Sequence, residues 1–538
     1  MTSIEGGLLC PVTVADALQR TVALSPDVEA TVAPDGRITY RALVAEVEKL
    51  RRALHNLGVR HGDHVGLCLG NTLQFQSLFF ALATIGAITV PINTRLRGPE
   101  IAYCLRQARI KTLFTADKLL STDFTAILGE LFGSDGELRA AEFPDLQQVI
   151  INGAADVPWA QGWDDFIAAD ADAEADHSAP EDVILIQYTS GSTGFPKGVM
   201  LRQHSLLTNG FASAQRMGLR AGDRFHSARP FFHVAGTSLS LMAALQHGVT
   251  LVTMARFEPR EALQLMETER CTHFSGNDTM ALMVINHPDR AVRKLCLRGA
   301  WVAGAAAVLQ RVVEDLGAQE CVSGYGLSEA SPNIAQSCWW EPQNVRTAGL
   351  MRPQPGLEVR IVDAASGVET STGVPGEIQV RGWSVMSGYY GMPEKTDEVL
   401  APDGWLSTGD LGVLDAEARL AFLGRLKNLI RVGGENVSPE EVEDLLHRHP
   451  AVRQAQFVGV PDERLTEVCA AFIILNEGYT ITAEALVEWC KENMAGFKIP
   501  RHIWFVDGFE DIGMTASAKV QRSKLAAHAL TLLQEKAG

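Results

Sequence analysis

The sequence predicts an α/β protein: a large N-terminal region of several subdomains, with parallel-type sheets and a β-rich part, followed by a small α+β C-terminal domain. Helical runs alternate with short β-branched segments early in the chain, as in ITYRALVAEVEKLRRALHNLG, VGLCL, FQSLFFALATIG and AITVPI. Such alternation is typical of parallel sheets covered by helices. Near residue 350, segments such as PQPGLEVRIVD and GEIQVRGWSVMSGYY alternate with Gly and Asp turns, which predicts a more antiparallel β region.

The end of the chain predicts a separate domain. PEEVEDLLHRHP and AEALVEWCKENM have helical patterns, whereas QAQFVGVPD and VCAAFIILN have strand patterns. A tail of this length is sufficient for its own core. We therefore predict an N-terminal domain of residues 1–424 and a C-terminal domain of residues 425–538.

One uncharged stretch, residues 65–94, raises the alternative of a membrane span. Asn71, Gln74, Gln76, Pro91 and Asn93 interrupt it. The order strand, helix, strand instead predicts a buried parallel βαβ unit, and no membrane span is expected.

Composition narrows the class of protein. A formal charge of −17 disfavours a nucleic-acid-binding surface and means that anionic ligands need local Lys, Arg and backbone N–H groups. The nine cysteines are dispersed without a CxxC pair, which is typical of reduced thiols and indicates no metal cluster. The first residues lack the pattern of a signal peptide, so a cytoplasmic protein is expected.

The most informative segment is residues 186–199, IQYTSGSTGFPKGV. A strand is followed by a loop of Thr, Ser and Gly residues that ends at Lys197. Glycines let backbone N–H groups turn towards an anion, hydroxyls add donors and Lys supplies a counter-charge, which predicts a phosphate-binding loop rather than a flexible linker. The string is not a Walker A motif, because Pro196 stands where that motif requires Gly. The predicted loop residues are Thr189, Ser190, Gly191, Ser192, Thr193, Gly194 and Lys197.

YTSGSTGFPKGV resembles the phosphate-loop signature of the adenylate-forming (AMP-binding) superfamily, which includes acyl-CoA synthetases, peptide-synthetase adenylation domains and beetle luciferases. Other landmarks of that superfamily follow in its order: PFFHVAG, YGLSEASP, GEIQVRG, GWLSTGD, GRLKNLIRVGGENVSPEEVE and TASAKVQRSKL. With ITYRAL and VPINTRL near the start, the resemblance covers essentially the whole chain.

The resemblance implies a nucleotide site. Glu329 of YGLSEASP is expected to hold Mg²⁺ against the triphosphate, and Tyr325 to stack near adenine. Asp410 and Arg425 are expected to bind the ribose. The remaining positions that the resemblance assigns to the nucleotide are Gly304, Ala305 and Ala306 (the adenine wall), Gly324, Gly326 and Ser328.

The resemblance also implies that the C-terminal domain is mobile. Lys519 is expected to neutralise charge in the adenylation step and is the predicted catalytic residue of that half-reaction. Ala518 stands before it where the family usually has Gly, so the aim of Lys519 depends on a backbone that alanine restricts. Lys427 matches the family's hinge, and Gly433, Gly434 and Glu435 match the loop that accompanies coenzyme A.

The nature of the acid is read from the PFFHVAG segment. Amino-acid-activating relatives place an Asp after the Phe, whereas Phe231, Phe232 and His233 offer no carboxylate, so an α-amino acid is disfavoured. His233 is similar to the aromatic gate beside the substrate carboxylate and is a candidate catalytic residue. The predicted acyl pocket contains Phe232, His233, Thr237, Asn277 and Gly324; Asn277 and Asp278 hint at a substrate with a polar group or ring.

The predicted function is that of an AMP-forming acyl-CoA synthetase: a carboxylic acid (medium-chain, cyclic or aromatic) reacts with ATP and Mg²⁺, and its adenylate then reacts with coenzyme A. Two alternatives stay open. One is an adenylating enzyme with another acceptor, such as a carrier-protein thiol; the other is a non-catalytic ligand-binding member of the fold. The sequence leaves the oligomeric state open, a homodimer included.

Overall fold

The computed structural model of the chain describes residues 12–133, 142–153, 156–168, 178–189, 196–432, 435–462, 464–515 and 520–537. Its strands, in chain order, are β1 (Glu29–Ala33), β2 (Gly36–Thr39), β3 (His64–Cys68), β4 (Ile88–Pro91), β5 (Thr112–Ala116), β6 (Lys118–Leu119), β7 (Thr122–Asp123), β8 (Gln148–Asn152), β9 (Gln161–Gly162), β10 (Val183–Thr189), β11 (Lys197–Arg202), β12 (Arg224–Ser227), β13 (Thr250–Val252), β14 (His273–Asn277), β15 (Gly299–Ala303), β16 (Glu320–Val322), β17 (Gly324–Gly326), β18 (Asn333–Gln336), β19 (Arg352–Pro353), β20 (Glu358–Val362), β21 (Gly376–Arg381), β22 (Gly388–Tyr389), β23 (Leu406–Leu414), β24 (Leu420–Arg425), β25 (Ile430–Val432), β26 (Glu435–Val437), β27 (Val452–Asp462), β28 (Thr466–Leu475) and β29 (His502–Phe505).

The helices are α1 (Val14–Leu24), α2 (Tyr40–Asn56), α3 (Leu73–Ile85), α4 (Gly98–Gln107), α5 (Phe124–Phe132), α6 (Trp163–Ala168), α7 (Gln203–Met217), α8 (Val234–Gly236), α9 (Ala243–His247), α10 (Pro259–Thr268), α11 (Asp278–Ile285), α12 (Ala306–Leu316), α13 (Gln343–Arg346), α14 (Pro393–Asp397), α15 (Pro439–Leu446), α16 (Ala483–Asn493), α17 (Glu510–Gly513) and α18 (Arg522–Ala537). A π-helical segment, Thr237–Met242, joins α8 to α9.

The uncharged stretch is a buried βαβ unit, as predicted. β3 and β4 are parallel neighbours, and α3 between them buries every residue from Phe75 to Thr84. Thr72 caps the start of α3 by accepting from the Phe75 amide, and Gly86 ends it at φ 80, a left-handed conformation that glycine adopts without strain. Among the described residues, no helix is both long and apolar enough to span a bilayer.

Two mainly parallel sheets form the frame of the N-terminal region. The first has the order β22-β11-β10-β4-β3-β5-β8-β9, with β11 antiparallel to both of its neighbours, β10 and β22. The second has the order β16-β15-β14-β12-β13-β1-β2, with only β2 antiparallel among the described strands. α/β proteins bind ligands at loops that follow the carboxyl ends of parallel strands, so we expect a ligand site at those ends of the two sheets.

The predicted antiparallel region is present as the sheet β20-β21-β23-β24. β23 and β24 form a hairpin in which Asp410 and Arg425 are register partners. The fold class inferred from the sequence is confirmed: parallel sheets, a β-rich part and a C-terminal α+β unit.

The C-terminal unit is a sheet of β26-β25-β28-β27 with β29 added parallel to β28. Side chains of α15 and α16 pack on one face, and those of α18 pack on the other. The chain enters this sheet through a short turn, Leu426–Asn428, directly after β24. The sequence boundary at residues 424 and 425 falls at the end of β24 and stays a prediction.

Candidate active site

The two strand ends that flank the predicted phosphate loop pair as a hairpin. Thr189 at the end of β10 pairs in register with Lys197 at the start of β11. The carbonyl of Pro196 accepts a 3.0 Å hydrogen bond from the Tyr103 hydroxyl, which fixes the second half of the hairpin. The other predicted loop residues, Ser190, Gly191, Ser192, Thr193 and Gly194, lie outside the described residues.

Lys197 and Glu329 are connected through Tyr389. The Lys197 ammonium lies 4.1 Å from the centre of the Tyr389 ring, and the Tyr389 hydroxyl donates a 2.8 Å hydrogen bond to Oε1 of Glu329. Burial and the Glu329 carboxylate raise the pKa of Tyr389, which therefore stays protonated and remains a donor. The structure thus brings the predicted phosphate and Mg²⁺ residues together.

Sequence reasoning missed Tyr389. It lies on β22, which pairs with β11, so that Tyr389 and Val199 are register partners. No local pattern indicates this pairing, since the two strands are far apart in the chain. The only available sign was the position of Tyr389 within the GEIQVRGWSVMSGYY segment.

The predicted ribose residues form a second cluster. Asp410 is 2% exposed; its Oδ2 accepts a 2.9 Å hydrogen bond from the Tyr325 hydroxyl, and its Oδ1 lies 3.1 Å from Nε of Arg425. Burial and the Asp410 carboxylate raise the pKa of Tyr325. The Tyr325 ring stacks on Phe422, with centroids 5.2 Å apart. Asp410 is thus already paired with Tyr325 and Arg425, and these contacts fix the positions of all three side chains without a nucleotide.

The predicted adenine wall lies where β15 ends and α12 begins. Gly304 follows β15, and Ala305 and Ala306 form the start of α12. A Cβ added to Gly304 would lie 2.8 Å from Cβ of Asp278, so glycine permits the close approach of the segments that follow β14 and β15. The amide of Ala307 faces Oδ1 of Asp444 in the C-terminal unit at 3.4 Å.

The segment that contains Glu329 is held close to the sheet. A Cβ added to Gly326 would lie 1.9 Å from the carbonyl oxygen of Pro332, so only glycine fits there. Ser328 and Glu329 occupy the short turn Ser328–Ala330 that follows.

The polar side chains of the predicted acyl pocket form hydrogen bonds within the protein. Oδ1 of Asn277 caps α11 by accepting from the Met280 amide at 2.8 Å, and the Thr237 hydroxyl donates to the Val234 carbonyl at 3.1 Å. Nδ1 of His233 accepts from the Ala235 amide at 3.1 Å, which places the ring proton of the neutral form on Nε2. The side-chain oxygen of Asn277 therefore caps a helix, which explains a polar residue at this position without a polar substrate.

Phe232 is fixed by a residue that sequence reasoning missed. Its carbonyl accepts a 2.9 Å hydrogen bond from Nε2 of Gln187 on β10, two residues before Thr189. This bond connects the segment containing His233 to the strand that leads into the phosphate loop. The bond thereby fixes the position of the predicted gate, His233, relative to the strand that precedes the predicted phosphate loop.

The predicted hinge residue Lys427 lies beside predicted nucleotide residues. Burial, with the charges of Arg425 and Lys197, lowers the pKa of Lys427. Glu435 is an exposed residue at the start of β26, whereas Gly433, Gly434 and Lys519 lie outside the described residues. Met514 and Val520, on either side of the segment with Lys519, form an antiparallel bridge.

Two family models match the chain. The family described as AMP-binding enzyme matches residues 18–390, and that described as AMP-binding enzyme C-terminal domain matches residues 441–519. The chain is 35% identical to the putative acyl-CoA synthetase YngI of Bacillus subtilis, over 95% of this chain and 96% of that protein.

Two further proteins are similar over their whole length. The chain is 33% identical to the 3-[(3aS,4S,7aS)-7a-methyl-1,5-dioxo-octahydro-1H-inden-4-yl]propanoyl:CoA ligase of Rhodococcus jostii, over 96% of this chain and 98% of that one. The crystal structure of the anthranilate CoA ligase AuaEII with anthranoyl-AMP superposes with a TM-score of 0.86 and 27% identity, covering 98% of this chain and 99% of that one. The chain therefore belongs to the adenylate-forming, AMP-binding enzyme superfamily, in its acyl-CoA ligase branch.

Proposed function

We propose that this acyl-CoA ligase activates a medium-chain, cyclic or aromatic carboxylic acid, with the residues gathered around Glu329 and Asp410 acting on ATP. The general activity is that of an AMP-forming acid–thiol ligase. The observation that best supports the residue roles is the continuous contact from Lys197 through Tyr389 to Glu329, which places a cation and a carboxylate on either side of one tyrosine.

In the first half-reaction, a carboxylate oxygen of the acid attacks the α-phosphorus of ATP. The bond from that phosphorus to the bridging oxygen breaks, pyrophosphate leaves, and acyl-AMP remains. Lys197 and the donors of the phosphate loop balance the charge of the leaving pyrophosphate. Lys519 is proposed to neutralise the charge that develops between the acid and the α-phosphate.

The described residues fit a nucleotide and Mg²⁺. Mg²⁺ is usually held by one or two carboxylates together with substrate phosphates, and Glu329 offers such a carboxylate, oriented by Tyr389. Mg²⁺ supplies charge neutralisation of the phosphates. Asp410 has two oxygens in a buried position, which suits a pair of ribose hydroxyls, and Nε of Arg425 lies 3.1 Å from one of them.

In the second half-reaction, the thiol of coenzyme A loses its proton and its sulfur attacks the acyl carbon. The bond from that carbon to the AMP oxygen breaks, and AMP leaves with the negative charge. Lys427 lies between β24 and the C-terminal sheet, which suits the proposed hinge between the two half-reactions. Gly433, Gly434 and Glu435 are proposed to accompany the pantetheine arm.

The acid class is supported by the names of the similar proteins. One relative is named for a propanoyl group on a dioxo bicyclic ring, and one solved structure contains anthranoyl-AMP. His233, Phe232, Thr237, Asn277 and Gly324 are proposed to surround the acyl group. A cytoplasmic location and a homodimer stay predictions, which fractionation and light scattering can check.

The function is tested with purified protein, ATP, Mg²⁺ and a panel of octanoate, 3-cyclohexylpropanoate and benzoate derivatives, with and without coenzyme A. We expect pyrophosphate release with a subset of the acids, and AMP plus thioester only when coenzyme A is added. Adenylate formation without any turnover of coenzyme A would favour another acceptor. Nucleotide binding without pyrophosphate release for every acid would favour a non-catalytic member of the fold.

A further inference from the structure

Arg229 is a buried cation that has no acceptor among the described residues. It lies two residues after β12 and is 7% exposed, and neither Nη1 nor Nη2 has a hydrogen-bond partner there. Burial lowers its pKa to about 9, so it remains a cation at neutral pH. A buried charge without a partner is costly, so this guanidinium requires an explanation.

Among the described residues, the other deeply buried arginines have hydrogen-bond acceptors. Arg216, 8% exposed, donates to the carbonyls of Gln336, Arg352 and Pro353 at 2.6–3.1 Å. Arg346, 6% exposed, donates to three carbonyls at 2.7–3.0 Å. Backbone oxygens accept hydrogen bonds from both of these buried arginines. The lack of acceptors at Arg229 is therefore specific to its location in the fold.

The location of Arg229 is fixed by its main chain. Nδ2 of Asn71 donates to the Arg229 carbonyl at 3.0 Å, and Oδ1 of Asn71 accepts from the Phe231 amide at 2.8 Å. The next residues along the chain are Phe232 and His233 of the proposed acyl pocket. The side chain is therefore attached to a rigid segment that continues directly into that pocket.

The guanidinium lies at the carboxyl end of the second sheet. It stacks over the Trp301 ring at 4.0 Å, and a Cβ added to Gly324 would lie 2.5 Å from a ring atom of the same tryptophan. Trp301 thus has Arg229 over its ring and the Gly324 backbone at its edge, and Gly324 is a residue of the proposed pocket. Ligands of parallel α/β sheets bind at this edge.

Two further polar groups on this side of the sheet lack acceptors or donors in the described residues. Nε1 of Trp301 and Oγ of Ser275 are buried and unpaired. Ser275 and Trp301 are register partners on β14 and β15, so their side chains project to the same face. Together with Arg229, they form a set of two donors and one hydroxyl, which suits an oxygen acceptor.

We propose that Arg229 is a specificity residue of the acyl pocket, and that the acid of this ligase has a second oxygen acceptor, a carboxylate or a ketone, in addition to the carboxylate that is activated. Guanidinium groups bind carboxylates through two parallel hydrogen bonds, and such charge-assisted bonds are the strong ones. A ketone offers the same acceptor atom without the charge. This inference rests on the proposed function, because it names the substrate class of the same pocket.

The test compares matched acids: octanoate with octanedioate and an oxo-octanoate, and 3-cyclohexylpropanoate with its ring ketone. The quantity measured is kcat/KM for pyrophosphate release. We expect the parent protein to have a higher kcat/KM for the diacid or the ketone than for the matched apolar acid. Which of the two is preferred shows whether the second acceptor is a carboxylate or a ketone. In Arg229→Met, that preference should fall by about 10- to 100-fold, the range for hydrogen bonds to a charged group. Arg229→Lys should retain part of it.

Arg360→Met is the matched control, since the Arg360 guanidinium also stacks over a tryptophan, Trp405, at 4.1 Å but in the antiparallel sheet. It should leave the preference unchanged. If the parent prefers the apolar acid of every set, the inference is overturned while the ligase function stands. An equal loss for all acids in Arg229→Met would also overturn it, because Arg229 would then bind the activated carboxylate.

The outcomes separate the inference from the function on which it rests. If no acid in any set releases pyrophosphate, it is the proposed function that fails. Should Arg229→Met not fold, as judged by circular dichroism and thermal unfolding, Arg229→Lys tests the role of the residue, and the parent's ranking of the matched acids tests the substrate class.

Discussion

The proposed nucleotide side and the proposed acid side of the site differ in whether their buried charged groups are paired. On the nucleotide side, Asp410 is paired with Arg425 and Tyr325, and Glu329 accepts from Tyr389. On the acid side, Arg229 has no acceptor among the described residues. Charges that contact each other are positioned by the protein alone, whereas an unpaired buried charge indicates what the ligand must supply.

The difference follows from the topology. The proposed nucleotide residues come from β11, β17, β22, β23 and β24, so several sheets meet there and bring opposite charges together. Arg229 follows a strand within one parallel sheet, beside Trp301 and Ser275, which contribute no negative charge. The contrast predicts that changes on the nucleotide side affect all acids equally, whereas changes at Arg229 alter the choice among acids.

The largest expected effect is that of Lys519→Ala. Loss of one preorganised charge at a transition state typically costs about 10²–10³ in rate, so adenylation should fall by that factor for every acid. Pyrophosphate release measures it, and thioester formation from added acyl-AMP should persist. Lys524→Ala, an exposed lysine on α18, is the control. An adenylation rate equal to that of the parent would remove Lys519 from the catalytic assignment.

The next effect is that of Asp410→Asn. Asparagine keeps the shape but removes the charge opposite Arg425, so the KM for ATP should rise about 10- to 100-fold. The ratio of kcat/KM between matched acids should not change. Asp415→Asn, in the turn of the same hairpin and paired with Arg419, is the control. An altered preference among acids would contradict the separation of the two sides.

Tyr389→Phe should have a smaller effect. The ring remains under the Lys197 ammonium, and only the hydrogen bond to Glu329 is lost, so we expect about a 10-fold fall in kcat for adenylation. Titration with Mg²⁺ should show a higher requirement. Tyr390→Phe, the neighbouring residue, is the control; a parent-like Mg²⁺ dependence in Tyr389→Phe would show that the tyrosine does not orient Glu329.

The smallest effect is that of Ala518→Gly. Glycine restores the residue usual in the family before the lysine and removes the steric limit on positive φ, so adenylation should rise about two- to fivefold. The rise should be the same for all acids, because Lys519 is proposed to act at the α-phosphate, which every acid shares. Pre-steady-state pyrophosphate release is the measurement, and a slower variant would show that alanine suits this backbone.

Much of the fold could be predicted because it depends on local patterns. The run from VGLCL to AITVPI has the order and apolar content of a buried βαβ unit, and β3, α3 and β4 are that unit. The end of the phosphate loop at Lys197 and the candidates Glu329, Asp410 and Arg425 were also readable, since each lies in a motif with a fixed internal spacing.

The contacts that give those residues their environment could not be predicted. Tyr389 reaches Glu329 because β22 pairs with β11 across a long stretch of chain, and Arg229 meets Trp301 because β12 and β15 end at the same edge of a sheet. Asn277 looked like a polar pocket residue, but a helix cap uses its oxygen.

The sequence by itself determined the family, the order of the elements and most of the residues proposed to face the nucleotide, because these are encoded in short motifs and local periodicity. Only the tertiary structure decided which charges are paired and which is left for the ligand, because pairing depends on strands that are distant in the chain. The proposed nucleotide residues could therefore be predicted from sequence motifs, whereas the role proposed for Arg229 depends on its tertiary contacts.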